Sequence, residues 1–393
     1  MLIDTSSVAT ADSRASGQVA ARHGRRPRVP WSDEALATAL LLGFAVAWPV
    51  LAYAGLGFWA EVANRILVLA LAAASLNLLI GVAGLHSLGH AMFFSIGAYC
   101  VGIPAYYGID NGYAHLALGI VASALAGAAI GVLALRTRGA HFIMLTLAFG
   151  QMAYFTLMSL REFGGDDGLT ITGSSVFSGG LDLGSRPVLY FASLGALALA
   201  SLGFVRIKGS RFGLVLAAAN QSEQRVEASG FSVDRYRLAA FVLAAAVCGL
   251  AGFLNANLTS FVTPDLTSWK LSAALMFMVV LGGSGTACGP VLGAAAFVLI
   301  EQLLGSKTAY WEFWFGAFLI VAVSGGRRGL GPRHARPRGG GAVRARPHPP
   351  LTPVCPAARF PPLLPDRRRP DPIPSDPLPS MRGRCPVCCF ASE

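Results

Sequence analysis

Apolar runs of about 17 to 22 residues, with few charges, follow one another along most of this chain, and no other feature restricts its fold so severely. Runs of that length match helices crossing a hydrocarbon core of roughly 30 Å, and the alternating ten-residue segments of a membrane barrel are absent. The fold class expected is all-α, a polytopic transmembrane helical bundle of about ten spans. With 54% hydrophobic and 13% charged residues and a mean hydropathy of +0.57, the chain is too apolar for an ordinary soluble protein. Its 46 glycines suit close helix approach in lipid, where small residues let backbones pack.

The spans read at 35–56, 62–80, 89–107, 114–135, 140–160, 187–205, 237–257, 271–283, 287–304 and 311–324. The polar segment 1–34 carries Arg14, Arg22, Arg25, Arg26 and Arg28, which by the bias of Lys and Arg puts it in the cytoplasm. The first apolar run is span length and longer than a signal-peptide core, so it stays as the first helix. Ten crossings then leave both termini cytoplasmic, together with Arg136, Arg138, the segment 206–237 and Arg327–Arg328. The loops holding Asp110, Glu162, Asp166, Asp167 and Asp265 fall outside.

Segment 206–237 is the one long polar insertion in the membrane domain, 35–324. Ser222 is placed to cap a short helix of about seven residues, or roughly 10 Å. Glu223 sits in its first turn, where the helix dipole favours an anion, and Gly230 can take the left-handed position after its end. Arg206, Lys208, Arg211, Arg235 and Arg237 flank it. Two readings of these residues stay open: a solvated loop joining two spans, or a small helix hung on two basic tethers for a partner to grip.

Gly81, Gly84 and Gly89 interrupt the apolar pattern at 76–99, and a second interrupted stretch lies at 279–295. Backbone broken at membrane depth is tolerated only where it is buried in protein or lines a cavity, which is how many transporter sites are built. Gly81, Gly84, Ser87, Gly89 and His90 are therefore candidates for a translocation path, with Ser87 and His90 water-accessible. Helix packing is the competing role for the glycines.

No catalytic constellation, cofactor motif or metal site is expected. Gly282–Gly285 lacks the Lys-Ser or Lys-Thr of a phosphate loop, and His86 with His90 has zinc-like spacing but no third ligand. The net charge of +11 does not point to nucleic acid: residues 324–393 hold 13 arginines against four acids, and basic residues are not interleaved with aromatics. Proton-coupled carriers keep ionisable groups deep in their spans; here the deep polar groups are Asn77, Gln151, Asn255 and Asn257, while Arg65 and Glu301 lie near span ends. A Na⁺-coupled carrier using backbone carbonyls, and then a passive channel, are the alternatives to an ATP-driven permease.

Five stretches in order carry a resemblance to the LivM-type permease subunit of branched-chain amino acid ABC transporters, covering about 60–330. They are Gly84, Ser87–His90, Phe93, Phe94 and Gly97–Tyr99; Gly139, His141, Leu145–Phe149, Gln151 and Met152; Gly164, Gly165, Gly168 and Leu169; Arg211, Gly213, Ala219, Asn220, Glu223, Arg225, Glu227, Ala228, Gly230, Tyr236 and Phe241; and Val280–Gly283, Gly285, Thr286, Gly289, Pro290, Gly293 and Glu301. The chain departs from the pattern at Leu85–His86. The resemblance implies that Asn220, Glu223, Arg225, Glu227 and Gly230 couple the chain to an ATPase. It further implies two ABC ATPase subunits, a second permease subunit of similar fold, a periplasmic solute-binding protein and a bacterial inner membrane. Branched-chain or related amino acids are the implied cargo, with urea or short amides as the alternative.

Residues 325–393 are a different material. With 16 prolines after residue 330 and no apolar run or helical period, they cannot offset their ordering entropy and are expected to be disordered. A frameshift near Ser324–Arg328 is the expected origin of this tail.

Overall fold

The computed structural model describes residues 31–320 apart from 54, 56, 172, 174, 178–180, 308–309, 311–312 and 319. The expectations for most of segment 1–34 and for tail 325–393 lie outside these residues; of the last span, 311–324, residues 313–318 and 320 are described and are helical. The helices are α1 (Trp31–Tyr53), α2 (Gly57–Leu78), α3 (Ala91–Tyr106), α4 (Gly112–Ala134), α5 (Ala140–Ser159), α6 (Arg186–Gly209), α7 (Arg211–Gln221), α8 (Glu223–Ala228), α9 (Val233–Thr259), α10 (Trp269–Gly282) and α11 (Gly289–Gly305). Nine of these follow the apolar runs, and α7 and α8 occupy the polar insertion. The chain is an all-α, polytopic membrane protein.

Five segments are long and apolar enough to cross a bilayer: Gly57–Ala83, Gly112–Ala134, Ala140–Ser159, Arg186–Gly209 and Val233–Thr259. Helix α2 is the axis of the bundle, sheathed by α1, α6, α9, α10 and α11. Helices α3, α10 and α11 have 16, 14 and 17 residues. At 1.5 Å per residue they reach roughly 21 to 26 Å and fall short of the hydrocarbon core. Non-helical chain completes their depth. After α2 a π turn, Leu79–Ala83, closes on left-handed Gly84, and 84–90 then runs back into the bundle without helix.

That irregular backbone survives because protein groups meet it. Leu88 N donates to Thr146 Oγ1 of α5 at 3.3 Å, Ala91 N to Ser272 Oγ of α10 at 3.1 Å, and Leu85 N to Leu79 O at 3.1 Å. In lipid these donors would otherwise go unpaired, each at a cost of several kcal/mol.

The loops sort to two ends. At one, β1 (Leu169–Thr170) pairs antiparallel with β4 (Phe261–Val262), and β2 (Val176–Phe177) with β3 (Leu181–Asp182). Val176 N bonds Asp110 O at 2.9 Å, drawing the loop before α4 into the same layer. This end gathers the acidic loops. At the other end lie Arg138, α7, α8, the 84–86 turn and the glycine turn 283–288. Asn257 belongs to the acidic end and not to mid-membrane, because its Oδ1 accepts from Ser175 N at 3.2 Å. Arg65 and Glu301 meet each other at 2.9 Å.

Candidate coupling site

The polar insertion is more helical than its sequence suggests. Helix α6 continues to Gly209 and α9 starts at Val233, so the expected basic tethers are themselves helix ends. Ser210 caps α7, accepting from Gly213 N at 3.3 Å. Gly213, Leu216 and Ala219 bury one face of α7 against α9 and the π turn. Helix α8 has six residues, too few to hold by itself. Val226 anchors it in a small core with Ala219, Val233 and Val215. Ser222 stands extended at its start without a side-chain cap bond, and Gly230 ends it at φ +86°, the left-handed conformation expected.

Glu223 does more than complement the helix dipole. Its Oε1 accepts from Arg237 at 3.0 Å and from Arg138 at 2.9 Å, joining α8 to α9 and to the loop between α4 and α5. Arg138 is 70% exposed and adds little, whereas Arg237 and Glu223 are 12% and 14% exposed. Removing one member of that second pair leaves a charge largely cut off from water, a loss of roughly 3 kcal/mol. Arg225, Glu227 and Gly230 are exposed, and their bonds are local ones through backbone atoms, Gly230 N to Glu227 O at 2.9 Å and Ser229 Oγ to Arg225 O at 2.9 Å.

Asn220, at the end of α7, lies on Gly84, where a Cβ would collide with its side-chain amide. A pocket of about 220 Å³ opens beside this contact, with Gly84, His86, Arg138, Asn220, Glu223 and Arg237 in its wall. The insertion therefore touches the broken stretch directly. A second tie runs through the other glycine turn. Lys208 Nζ bonds Gly285 O at 2.6 Å, Gly285 N donates to Asn77 Oδ1 at 2.8 Å, and Asn77 Nδ2 donates to Thr286 O at 2.9 Å. Asn77 thus grips turn 283–288 with both halves of its amide, and Gly81 is in backbone contact with Gly285.

Of the candidate path residues, Gly81, Gly84 and Gly89 are points of close approach, against Gly285, Asn220 and the Thr146 carbonyl. Ser87 and His90 are 1% and 0% exposed, so both side chains are enclosed by protein and do not lie on an open surface. His90 Nε2 bonds Ser75 Oγ at 2.8 Å inside the bundle, while His86 is exposed. Residues 84–90 are not helical, so the two histidines share no face, and among the described residues no group of three metal-ligating side chains converges. Arg138, Arg237 and Lys208 were readable only as basic charge. Their partners Glu223 and Gly285 are distant in sequence, and no local signal joins them.

A bundle of apolar helices with short helices folded onto one end and glycine-broken segments in its interior defines a polytopic membrane protein. The chain belongs to the family described as "Branched-chain amino acid transport system / permease component", whose model matches residues 58–323. It is 29% identical over 316 residues to the high-affinity branched-chain amino acid transport system permease protein LivM of Salmonella typhimurium, covering 74% of this chain and 73% of that one. The probable LivM permease of Methanocaldococcus jannaschii is 26% identical over 58% of this chain and 76% of its own. The permease LivH of Escherichia coli K12 is 24% identical over 65% and 88%. No solved structure matches.

Proposed function

We propose that this chain passes branched-chain or related amino acids across a bacterial inner membrane as one permease subunit of an ABC importer, driven by ATPase subunits at the α7–α8 end. The observation that carries the reading is the insertion itself. Its two short helices are tied by Glu223 and Val226 to the bundle and by Asn220 to the broken stretch, yet it leaves Arg225, Glu227 and Gly230 in the open for a partner. A second permease subunit and a periplasmic solute-binding protein complete the assembly. Urea or a short amide is the alternative cargo. Uptake of labelled leucine by cells expressing the complete system is expected to follow ATP and to withstand a proton or sodium ionophore. Uptake that collapses with the ionophore while ATP is maintained would identify a cation-coupled carrier instead.

In this reading the basic end lies in the cytoplasm, residues 35–324 form the permease domain, and 325–393 are a separate C-terminal segment. The family match, which ends at residue 323, supports that last boundary. Gly81, Gly84, Ser87, Gly89 and His90 become a path when the 84–90 stretch leaves its seat against Thr146 and Asn220. One labelling experiment covers orientation and path together, with single cysteines at 87, 225 and 265 in a chain whose seven native cysteines are replaced. An impermeant thiol reagent should reach 265 from outside, 225 only from inside, and 87 in a way that changes with ATPase state. Labelling of 225 from outside would overturn the orientation, and an inert 87 in every state would leave these residues as packing.

A further inference from the structure

Helix α3 carries a set of polar atoms that packing alone does not explain. Ser95 Oγ, Tyr99 OH and Thr267 Oγ1 are buried and have no hydrogen-bond partner among the described residues, and the same holds for Ser87 Oγ and His90 Nδ1. Three of them share one seam. Ala91 N bonds Ser272 Oγ at the inner end of the α3 contact with 264–272, and Gly102 packs on Leu169 and Val262 at its outer end. Ser95 and Tyr99 lie between, at a four-residue spacing that puts them on the Ala91 face. The 3₁₀ turn Pro264–Thr267, which packs against α3, brings Thr267 to the same contact. The opposite face of α3 is closed, since Gly97 is in backbone contact with Gly249 of α9. His90 turns away from this seam, its Nε2 bonded to Ser75 Oγ of α2 at 2.8 Å and its carbonyl accepting from Cys248 Sγ of α9 at 3.5 Å.

We propose that this seam is a hydrated track inside the single subunit. Ordered water is held by Ser95, Tyr99 and Thr267, along the contact of α3 with 264–272 toward the β1–β4 end. Buried polar groups are almost always satisfied, and three orphaned hydroxyls at one contact would be costly to keep dry. The three hydroxyls, with the neighbouring backbone, supply the two to four partners that a buried water needs. The lining has no fixed charge and no set of metal ligands. The inference rests on the fold and not on the transport reading.

Radiolytic hydroxyl-radical labelling in ¹⁸O water, with the full-length chain in lipid nanodiscs, tests it, because radicals form where water sits. Tyr190 is the dry standard, being 0% exposed with its hydroxyl bonded to Phe44 O at 2.7 Å. Tyr106, 55% exposed, is the wet one. Tyr99, only 4% exposed, is expected to take up label several-fold faster than Tyr190. The pair Ser95→Ala and Thr267→Val should bring Tyr99 down to the rate of Tyr190. A wild-type Tyr99 as inert as Tyr190 overturns the proposal. So does a double variant that melts higher while Tyr99 labelling is unchanged, because hydroxyls that were merely dry orphans gain stability on removal.

Discussion

The double change Glu227→Lys, Gly230→Val is expected to abolish uptake and the transport-linked part of ATP hydrolysis while the protein stays in the membrane. Neither residue supports the bundle. Gly230 has open space around its Cβ position, and Glu227 is exposed near the end of α8. Valine at φ +86° is strained by roughly 1–2 kcal/mol, enough to change how α8 ends and where Ser229 to Phe231 lead. Lysine near a helix C-terminus favours the macrodipole by about 0.3–1 kcal/mol, so the Glu227 change does not act by melting α8. What the pair alters is the charge and shape of the exposed face. Uptake assays beside immunoblots of membrane fractions decide the matter. Normal uptake would show that this face meets no ATPase and would favour a carrier driven by ions.

Gly252→Val is expected to destabilise the folded bundle by roughly 3 kcal/mol or more. A Cβ at Gly252 would run into the Phe94 carbonyl of α3 and come within 3.1 Å of Ala98 N, and backbone cannot step aside as a flexible side chain can. Nearby, Gly97 faces the Gly249 carbonyl, while a Cβ at Gly249 would meet Ser123 and the Gly119 carbonyl of α4. Helices α3, α4 and α9 therefore cross at a knot of glycines. In lipid, where no hydrophobic force draws helices together, that closeness is the main source of their attraction. Overpacking such a contact costs roughly 3 kcal/mol or more, on the order of a hundredfold in the folded fraction. Gly195→Val is the matched control, since Gly195 is an exposed helical position of α6 with nothing within 4 Å. Thermal-shift measurements in detergent should separate the two, and equal melting would refute the account of the glycines.

What lipid demands of a chain was legible in the sequence. Apolar runs of span length leave helices as the open-chain solution, because every backbone group must be paired within its own segment. Nine of the ten runs match helices with ends displaced by a few residues, and the tenth falls at the edge of the described chain. Gly230 was legible for a related reason, since a left-handed residue after a short polar helix is a local requirement. The division of acidic and basic loops between the two ends also followed from charge read along the chain.

Contacts between distant segments were decided only by the tertiary structure. Glycines 81, 84 and 89 mark broken backbone, but a sequence pattern cannot distinguish a broken stretch that lines water from one seated on protein. Thr146 and Ser272, far away in the chain, supply the partners that seat it here. The same limit applies to Glu223, placed correctly in the first turn of α8 yet bound by Arg138 and Arg237 from two other elements. It applies again to Asn77, whose amide holds turn 283–288 across the bundle. Periodicity and charge act within a turn or a span, so they are written locally. Which buried donor meets which acceptor depends on how helices of unequal length stack, and that arises only when all of them are packed together.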